Sequence, residues 1–391
     1  MRWKISSRVC SASIVSLSQI SGFYLPSRAS CCFVQTSNIQ RIWSNYHSNS
    51  HTMSNPSNSD VRTQKSLLQV LNDCDKSAAL TPFPIPQADL KKYTDTINSY
   101  YHFIIPSVGV TLGYVVPSVA AAFRDQPGWV LDEDAAPRTL ALVGGDDKES
   151  RSALVEETLL RLRSEGKFVI LSRWRNEVKP VYGPRGQMLF AIERAAAPLL
   201  GVLTYGIQIT AFTRPAKGEQ PKIWVQKRSK DVKFYPGFLD NTVAGGMPID
   251  EEPLVTATRE ASEEASLGLD IVKTNIKPCG TVSYMHLRDG LAVGEVGLIQ
   301  PQVEFLFELE LPADVEPSPS DGEVEWFKLY DVNQIRDELV KGNFKPSYSV
   351  VILDFLVRHG LLHAGNLPDF VEITTRLHRP FEFPIGYRTN P

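Results

Sequence analysis

The chain has 391 residues, 42% of them hydrophobic and 22% charged, a balance that fits one large or two ordinary globular domains. No run of about 18 uninterrupted apolar residues occurs, so a membrane-spanning helix is not expected. The formal charge of -3 hides an asymmetry: residues 1–52 carry five Lys or Arg and no Asp or Glu, leaving 36 basic against 44 acidic side chains, a net -8, in the rest. That balance argues against nucleic acid as a partner.

The first stretch also holds thirteen serines and only scattered apolar residues. Residues 1–60 therefore read as a mitochondrial transit peptide or disordered leader, outside the fold. Met53 offers an internal start for a shorter, cytoplasmic form. Cys10, Cys31 and Cys32 fall in the leader, and the remaining Cys74 and Cys279 are too far apart in sequence to suggest a disulfide framework or a cysteine zinc site. A reducing compartment follows, with both thiols structural.

Past the leader, "SLLQVLNDCD" has helical spacing with Leu67, Leu68 and Leu71 on one side, and "LTPFPIPQ" breaks it. In "YYHFIIPSVGVTLGYVVPSVAAAFRDQ" the apolar residues around Pro106 predict a strand and then a helix. "ESRSALVEETLLRLRSEGKF" predicts a helix ending near Gly166, and "GPRG" a turn between two strands in "WRNEVKPVYGPRGQMLFAIERAA". Residues 61–195 thus form a small α+β N-terminal domain. A second domain, 196–391, opens on the hairpin "LLGVLTYGIQITAFT" and "KIWVQKRS". It continues through a Gly-Gly loop, a Glu-rich helix from about Pro253 to Leu267, strands at "CGTVSYMHL", 302–311 and 322–332, and C-terminal helices. The elements do not alternate regularly, which argues against a doubly wound nucleotide fold.

The Glu-rich helix is the informative element. Leu254, Ala257, Ala261 and Ala265 make a small apolar stripe, and Glu260, Glu263 and Glu264 crowd the other side. Like charges at that spacing repel, and Arg259 relieves them in part by pairing with Glu263 at i,i+4. A divalent cation relieves them further: clustered carboxylates are hard ligands suited to Mg2+ or Mn2+, and Gly245 and Gly246 before the helix give main-chain freedom and a carbonyl. Such an ion neutralises a diphosphate and activates water.

From Gly245, "GGMPIDEEPLVTATREASEEASL" resembles the Nudix box, written in that family as Gly, five residues, Glu, seven residues, Arg-Glu, an aliphatic, any residue, Glu-Glu, any residue, Gly and an aliphatic. Gly245, Glu251, Arg259, Glu260, Glu263, Glu264 and Leu267 fall on that frame, with Ala261 at the first aliphatic position and Ser266 where the family has Gly. The resemblance implies an α/β fold, the Nudix α/β/α sandwich with a mixed sheet, preceded here by the α+β domain. It implies a pyrophosphohydrolase in which Glu260, Glu263, Glu264 and the Gly245 carbonyl hold the metal, Arg259 orients Glu260, and Glu251 ties loop to helix. Glu260 is the first choice of catalytic base and Glu323 the second.

Over about 65–385 the chain looks like the Nudix proteins related to thiamin pyrophosphokinase. That implies hydrolysis of thiamin diphosphate or its oxidised analogues, oxo- and oxythiamin diphosphate, to the monophosphate and phosphate, as metabolite damage control. Arg228 and Lys227 are expected at the phosphates, and Phe234 and Tyr284 against a ring; Trp174, Tyr205, Tyr235 and His286 are further candidates. The alternatives are hydrolysis of nucleoside diphosphate derivatives such as ADP-ribose or NADH, and a non-catalytic ligand sensor, which the intact carboxylates disfavour. An isopentenyl diphosphate isomerase needs a cysteine that "PGFLDNTVAGG" lacks. The expected partner is a small-molecule diphosphate, bound by a monomer or homodimer.

Overall fold

The computed structural model describes residues 64–75 and 87–387, apart from 216–217, 250, 292–293 and 321; the expected leader, 1–60, lies outside them. Helix α1, Leu67–Cys74, starts in a capping box, in which Ser66 and Gln69 each accept the other's backbone N–H. It buries Leu67, Val70, Leu71 and Cys74 in a core shared with Phe212, Tyr284 and Leu353, so the helix expected to open the N-terminal domain packs with the C-terminal one. Helix α2, Gln87–Asn98, leads to β1, Tyr101–Ile104, and β2, Thr111–Val115. These two pair antiparallel. The strand-then-helix expectation around Pro106 is corrected to a hairpin, because Gly109, at φ 74°, lets the chain reverse before a second extended run. The helical part is the single turn α3, Pro117–Ala120.

Strands β3, Trp129–Asp132, and β4, Thr139–Leu142, complete a sheet of order β2-β1-β4-β3. Helix α4, Lys148–Ser164, is capped by Asp147 and packs Val155, Leu159 and Leu162 into that region's core. A 3-10 turn, Val169–Arg173, then leads to β5, Val178–Tyr182, and β6, Met188–Glu193, a hairpin across "GPRG" as expected. The single turn α5, Ala197–Leu200, closes the region.

The second sheet is built from β7, Thr204–Thr213, β8, Lys222–Arg228, β9, Leu239–Asp240, and β10, Val243–Gly246, followed by α6, Pro253–Ala265, and α7, Leu269–Asn275. Then come β11, Ile276–Leu287, β12, Ile299–Glu310, β13, Val324–Tyr330, α8, Val332–Lys341, α9, Pro346–Arg358, and α10, Phe370–Leu377. The order is β11-β12-β7-β8-β13, with β10 beside β7 and β9 beside β8. β12 runs parallel to β7 and the other pairs are antiparallel, so the sheet is mixed. Every residue of central β7 is buried. Alternating side chains send one set to a core with α1, α8, α9 and α10 and the other to a core with α6 and α7. Helices thus cover both faces, giving the α/β/α sandwich. Among the described residues both cysteines are free thiols, and no helix is long and apolar enough to cross a membrane.

Candidate active site

Helix α6 is set against the sheet by small residues. Ala257, Ala261 and Ala265 are fully buried, and Thr256 fills the place expected for Leu254, which is 47% exposed. Pro253 stands in the first turn, where its missing N–H costs nothing. The helix ends at Ser266 in the left-handed region, φ 52°, the conformation that favours glycine there.

Neither Gly245 nor Gly246 is at positive φ; both lie in β10, paired with Ile207 and Gly206. Their role is therefore close approach and not the turn freedom expected from the sequence. A Cβ on Gly245 would stand 2.4–2.5 Å from the Glu260 carboxyl group, and one on Gly246 2.8 Å from Lys179 Nζ. Gly206 likewise makes room for the Glu304 carboxylate. Three glycines on neighbouring strands thus let two carboxyls and an ammonium press on bare backbone.

Arg259 holds the carboxylates. Its guanidinium lies 3.1 Å from Glu251, 3.1 Å from Glu260 and 2.7 Å from Glu263. Its hydrogen bonds keep the Glu251 carboxyl below the usual range, and they keep Arg259 itself firmly charged. Glu251 also accepts from Thr256 Oγ1 at 2.9 Å, and its carbonyl accepts from Tyr387 Oη at 2.7 Å, which fastens the loop to the helix and to the C-terminal segment. Burial pushes the Glu260 carboxyl up. Glu264 accepts from the Ala244 N–H at 3.0 Å.

The three carboxylates share a helix face but do not converge: among the described residues no group of three His, Cys, Asp or Glu side chains is gathered tightly enough for a metal ion. Glu263 is drawn outward to Arg259, while Glu260 lies over Gly245. The donor chemistry, all hard oxygen with one half-buried carboxyl, fits a divalent cation.

Beside the box is a cavity of about 280 Å3. Gly245, Gly246 and Glu264 line it on one side, and Phe234, Tyr235, Tyr205 and Tyr284 supply rings. Arg228 reaches it while paired at 3.1 Å with fully buried Asp240, which also takes Lys345 at 3.0 Å. Lys227, the next residue on β8, is absent from the cavity wall: its ammonium lies 3.7 Å from Glu325 and over the Trp326 ring. Strand alternation separates the two, and the expected role for Lys227 is corrected accordingly. Exposed Glu323 lines the rim, and His286 lies 3.4 Å from Tyr235 Oη. Trp174 is not on the wall and stacks under Arg163.

Sequence reasoning missed two groups. Arg173, Arg175, Lys179 and Arg194 reach the cavity from the N-terminal region, where no motif marks them. Lys179 is buried between Glu177, at 2.5 Å, and the Met247 carbonyl, at 2.8 Å. Glu304 is fully buried on β12 opposite Gly206, with Tyr284 Oη 2.8 Å away, and burial pushes its carboxyl up to about 7. Its one signal was a carboxylate within the otherwise apolar run "VEFLF".

Two family matches meet at residue 204: DUF4743, a domain of unknown function, over 90–204, and the NUDIX domain over 204–349. The chain is similar to an uncharacterized Saccharomyces cerevisiae protein, YJR142W, at 30% identity over 332 residues, 83% of this chain and 95% of that one. It is 35% identical over 234 residues to Nudix hydrolase 24, chloroplastic, of Arabidopsis thaliana, covering 59% of this chain and 60% of the relative. Among solved structures, the E. coli dihydroneopterin triphosphate pyrophosphohydrolase matches at 22% identity over 39% of this chain and 95% of that one, with a TM-score of 0.29. Residues 204–349 thus carry a domain of the Nudix family. Its enzyme class is that of the family's pyrophosphohydrolases.

Proposed function

We propose that this chain is a metal-dependent diphosphatase that hydrolyses thiamin diphosphate or, preferentially, its oxidised analogues, oxo- and oxythiamin diphosphate, to the monophosphate and phosphate. The observation that carries the reading is the cavity beside the box, in which carboxylates, cationic side chains and aromatic rings face one volume. The carboxylates suit the metal end of a diphosphate, the cations its oxygens, and the rings a heteroaromatic body.

Glu260, Glu263, Glu264 and the Gly245 carbonyl would hold Mg2+ or Mn2+. When bound, the ion supplies Lewis-acid stabilisation of phosphoryl charge and lowers the pKa of water. Arg259 steers Glu260 and, with Glu251, braces the loop against the helix. Glu260 accepts the proton as water attacks phosphorus, and the P–O bond of the anhydride breaks to release phosphate. Its burial favours that role, since a raised carboxyl binds the proton more readily. Glu323, on the rim, is the second choice of base. Phe234 and Tyr284 flank the ring system, and Arg228 faces the phosphates.

In this reading residues 87–195 form a region that shapes the pocket, α1 joins residues 196–391 in the hydrolase domain, and 1–60 directs the chain to mitochondria. The partner is a small molecule, met by a monomer or homodimer. The test is phosphate release by the purified full chain with Mg2+ from thiamin, oxythiamin and oxothiamin diphosphates beside ADP-ribose and NADH. A preference for the oxidised thiamin compounds supports the proposal. Turnover of the nucleotides alone moves the chain to nucleoside diphosphate chemistry.

A further inference from the structure

The cavity wall contributed by the N-terminal region is built with more care than a solvated basic surface. Segment 169–175 is fastened at both ends by carboxylates from other elements. Glu295, in the loop between β11 and β12, accepts the N–H groups of Val169 and Ile170 at 2.5 and 3.2 Å. Glu193, a buried residue at the end of β6, accepts those of Arg175 and Ala195 at 3.1 and 3.2 Å. Gly294 lets Ile170 come close, since a Cβ there would stand 3.0 Å from the Ile170 Cβ. Residues three apart in a 3-10 turn share a face, so anchoring Ile170 also aims Arg173, and both line the cavity.

The guanidinium groups so placed are not used up in the fold. No ion pair among the described residues includes Arg173 or Arg175, and Arg173 Nε is buried without a hydrogen-bond partner among them. Arg194, held at 2.8 Å by Glu177, and Arg288, buried and over the Phe234 ring, lie on the same cavity. A guanidinium on a cavity wall with no carboxylate partner among the described residues asks for an acceptor, and the planar fork of arginine matches phosphate oxygens two at a time.

Building on the diphosphatase reading, we infer that Arg173 and Arg175, with Arg194 and Arg288, form a phosphate subsite supplied largely from outside the Nudix domain, which grips the substrate's diphosphate without needing the metal. The N-terminal region is then part of substrate recognition. Rigid anchoring matters because a preformed fork loses less freedom on binding than a mobile one.

Inorganic pyrophosphate is the probe, titrated calorimetrically into the full chain in EDTA at low salt. Wild type is expected to bind, more weakly as salt rises. The Arg173→Ala/Arg175→Ala pair is expected to lose at least tenfold in affinity, and Arg175→Glu, at an exposed position, to lose as much with its melting temperature unchanged. Arg214→Glu, just past the far end of β7 and about 20 Å along the strand from Gln208 on the cavity wall, matches that two-unit change in charge and is expected to bind as wild type. Absence of binding by the wild type, or affinities within twofold of it in both arginine variants, overturns the inference. Pyrophosphate binding that depends on Arg173 and Arg175, in a chain that hydrolyses no diphosphate, upholds the subsite and overturns the hydrolase reading instead.

Discussion

Helix α6 and the segment at 169–175 face the same cavity, and they were written into the sequence in opposite ways. On α6 the pattern is periodic: carboxylates three and four apart must share a face, so spacing alone marks the proposed site. At 169–175 it is positional: two arginines become a wall because Glu295 and Glu193, from opposite directions in the chain, fasten the backbone between them. The first kind of site survives in one dimension. The second exists only when the fold brings remote carboxylates to a bare N–H.

The sharpest break between the two regions is expected from Glu260→Gln. If the helix does the chemistry and the wall the holding, phosphate release falls by about 100-fold or more while metal-free pyrophosphate binding is kept. Equal loss of both in a calorimetric and kinetic comparison would erase the division of labour. Next in size is Gly245→Ala, whose Cβ meets the Glu260 carboxyl at 2.4 Å. It is expected to cost about 1–3 kcal/mol of stability in denaturant unfolding and to displace the base. Gly246→Ala meets the end of the flexible Lys179 side chain and is expected to cost less.

Much of this was legible beforehand. The hairpin across "GPRG", the box helix and the β-rich opening of the second domain followed from periodicity and turn residues. The glycine pair was found, but its reason was misread: strand pairing is a long-range fact, and only with β10 against β7 does close approach replace turn freedom. α1 was placed with its sequence neighbours because nothing local shows that Leu71 packs beside Phe212. Glu304 was invisible for the same reason, since a carboxylate in a strand reads as solvent-facing until its partner strands bury it.

Glu304 gives a smaller, pH-dependent effect. Its folded carboxyl titrates near 7 against roughly 4.3 in an unfolded chain. Between those values the folded state keeps a proton that the unfolded state releases, so stability is full below the lower value and is lost as pH rises through about 7. Glu304→Gln is expected to flatten that slope, so that its melting temperature in EDTA gains on wild type between pH 5 and pH 8. A constant difference across that window would mean that the carboxyl is not the source. Smallest is Ser266→Gly, which relieves a left-handed non-glycine residue at the end of α6. A gain of about 1 kcal/mol in thermal or denaturant unfolding is expected, with activity unchanged.

We propose that the crowded carboxylates of α6 are a cation site restrained by Arg259 until the ion arrives. The most direct test is thermal unfolding of the full chain and of Glu260→Gln, Glu263→Gln and Glu264→Gln, each with EDTA and with Mg2+ or Mn2+. A bound ion raises the melting temperature of the state that holds it. Wild type should gain on adding metal, and each variant should lose most of that gain while keeping a metal-free melting temperature close to wild type's. Variants whose metal-induced gain equals wild type's would contradict the account.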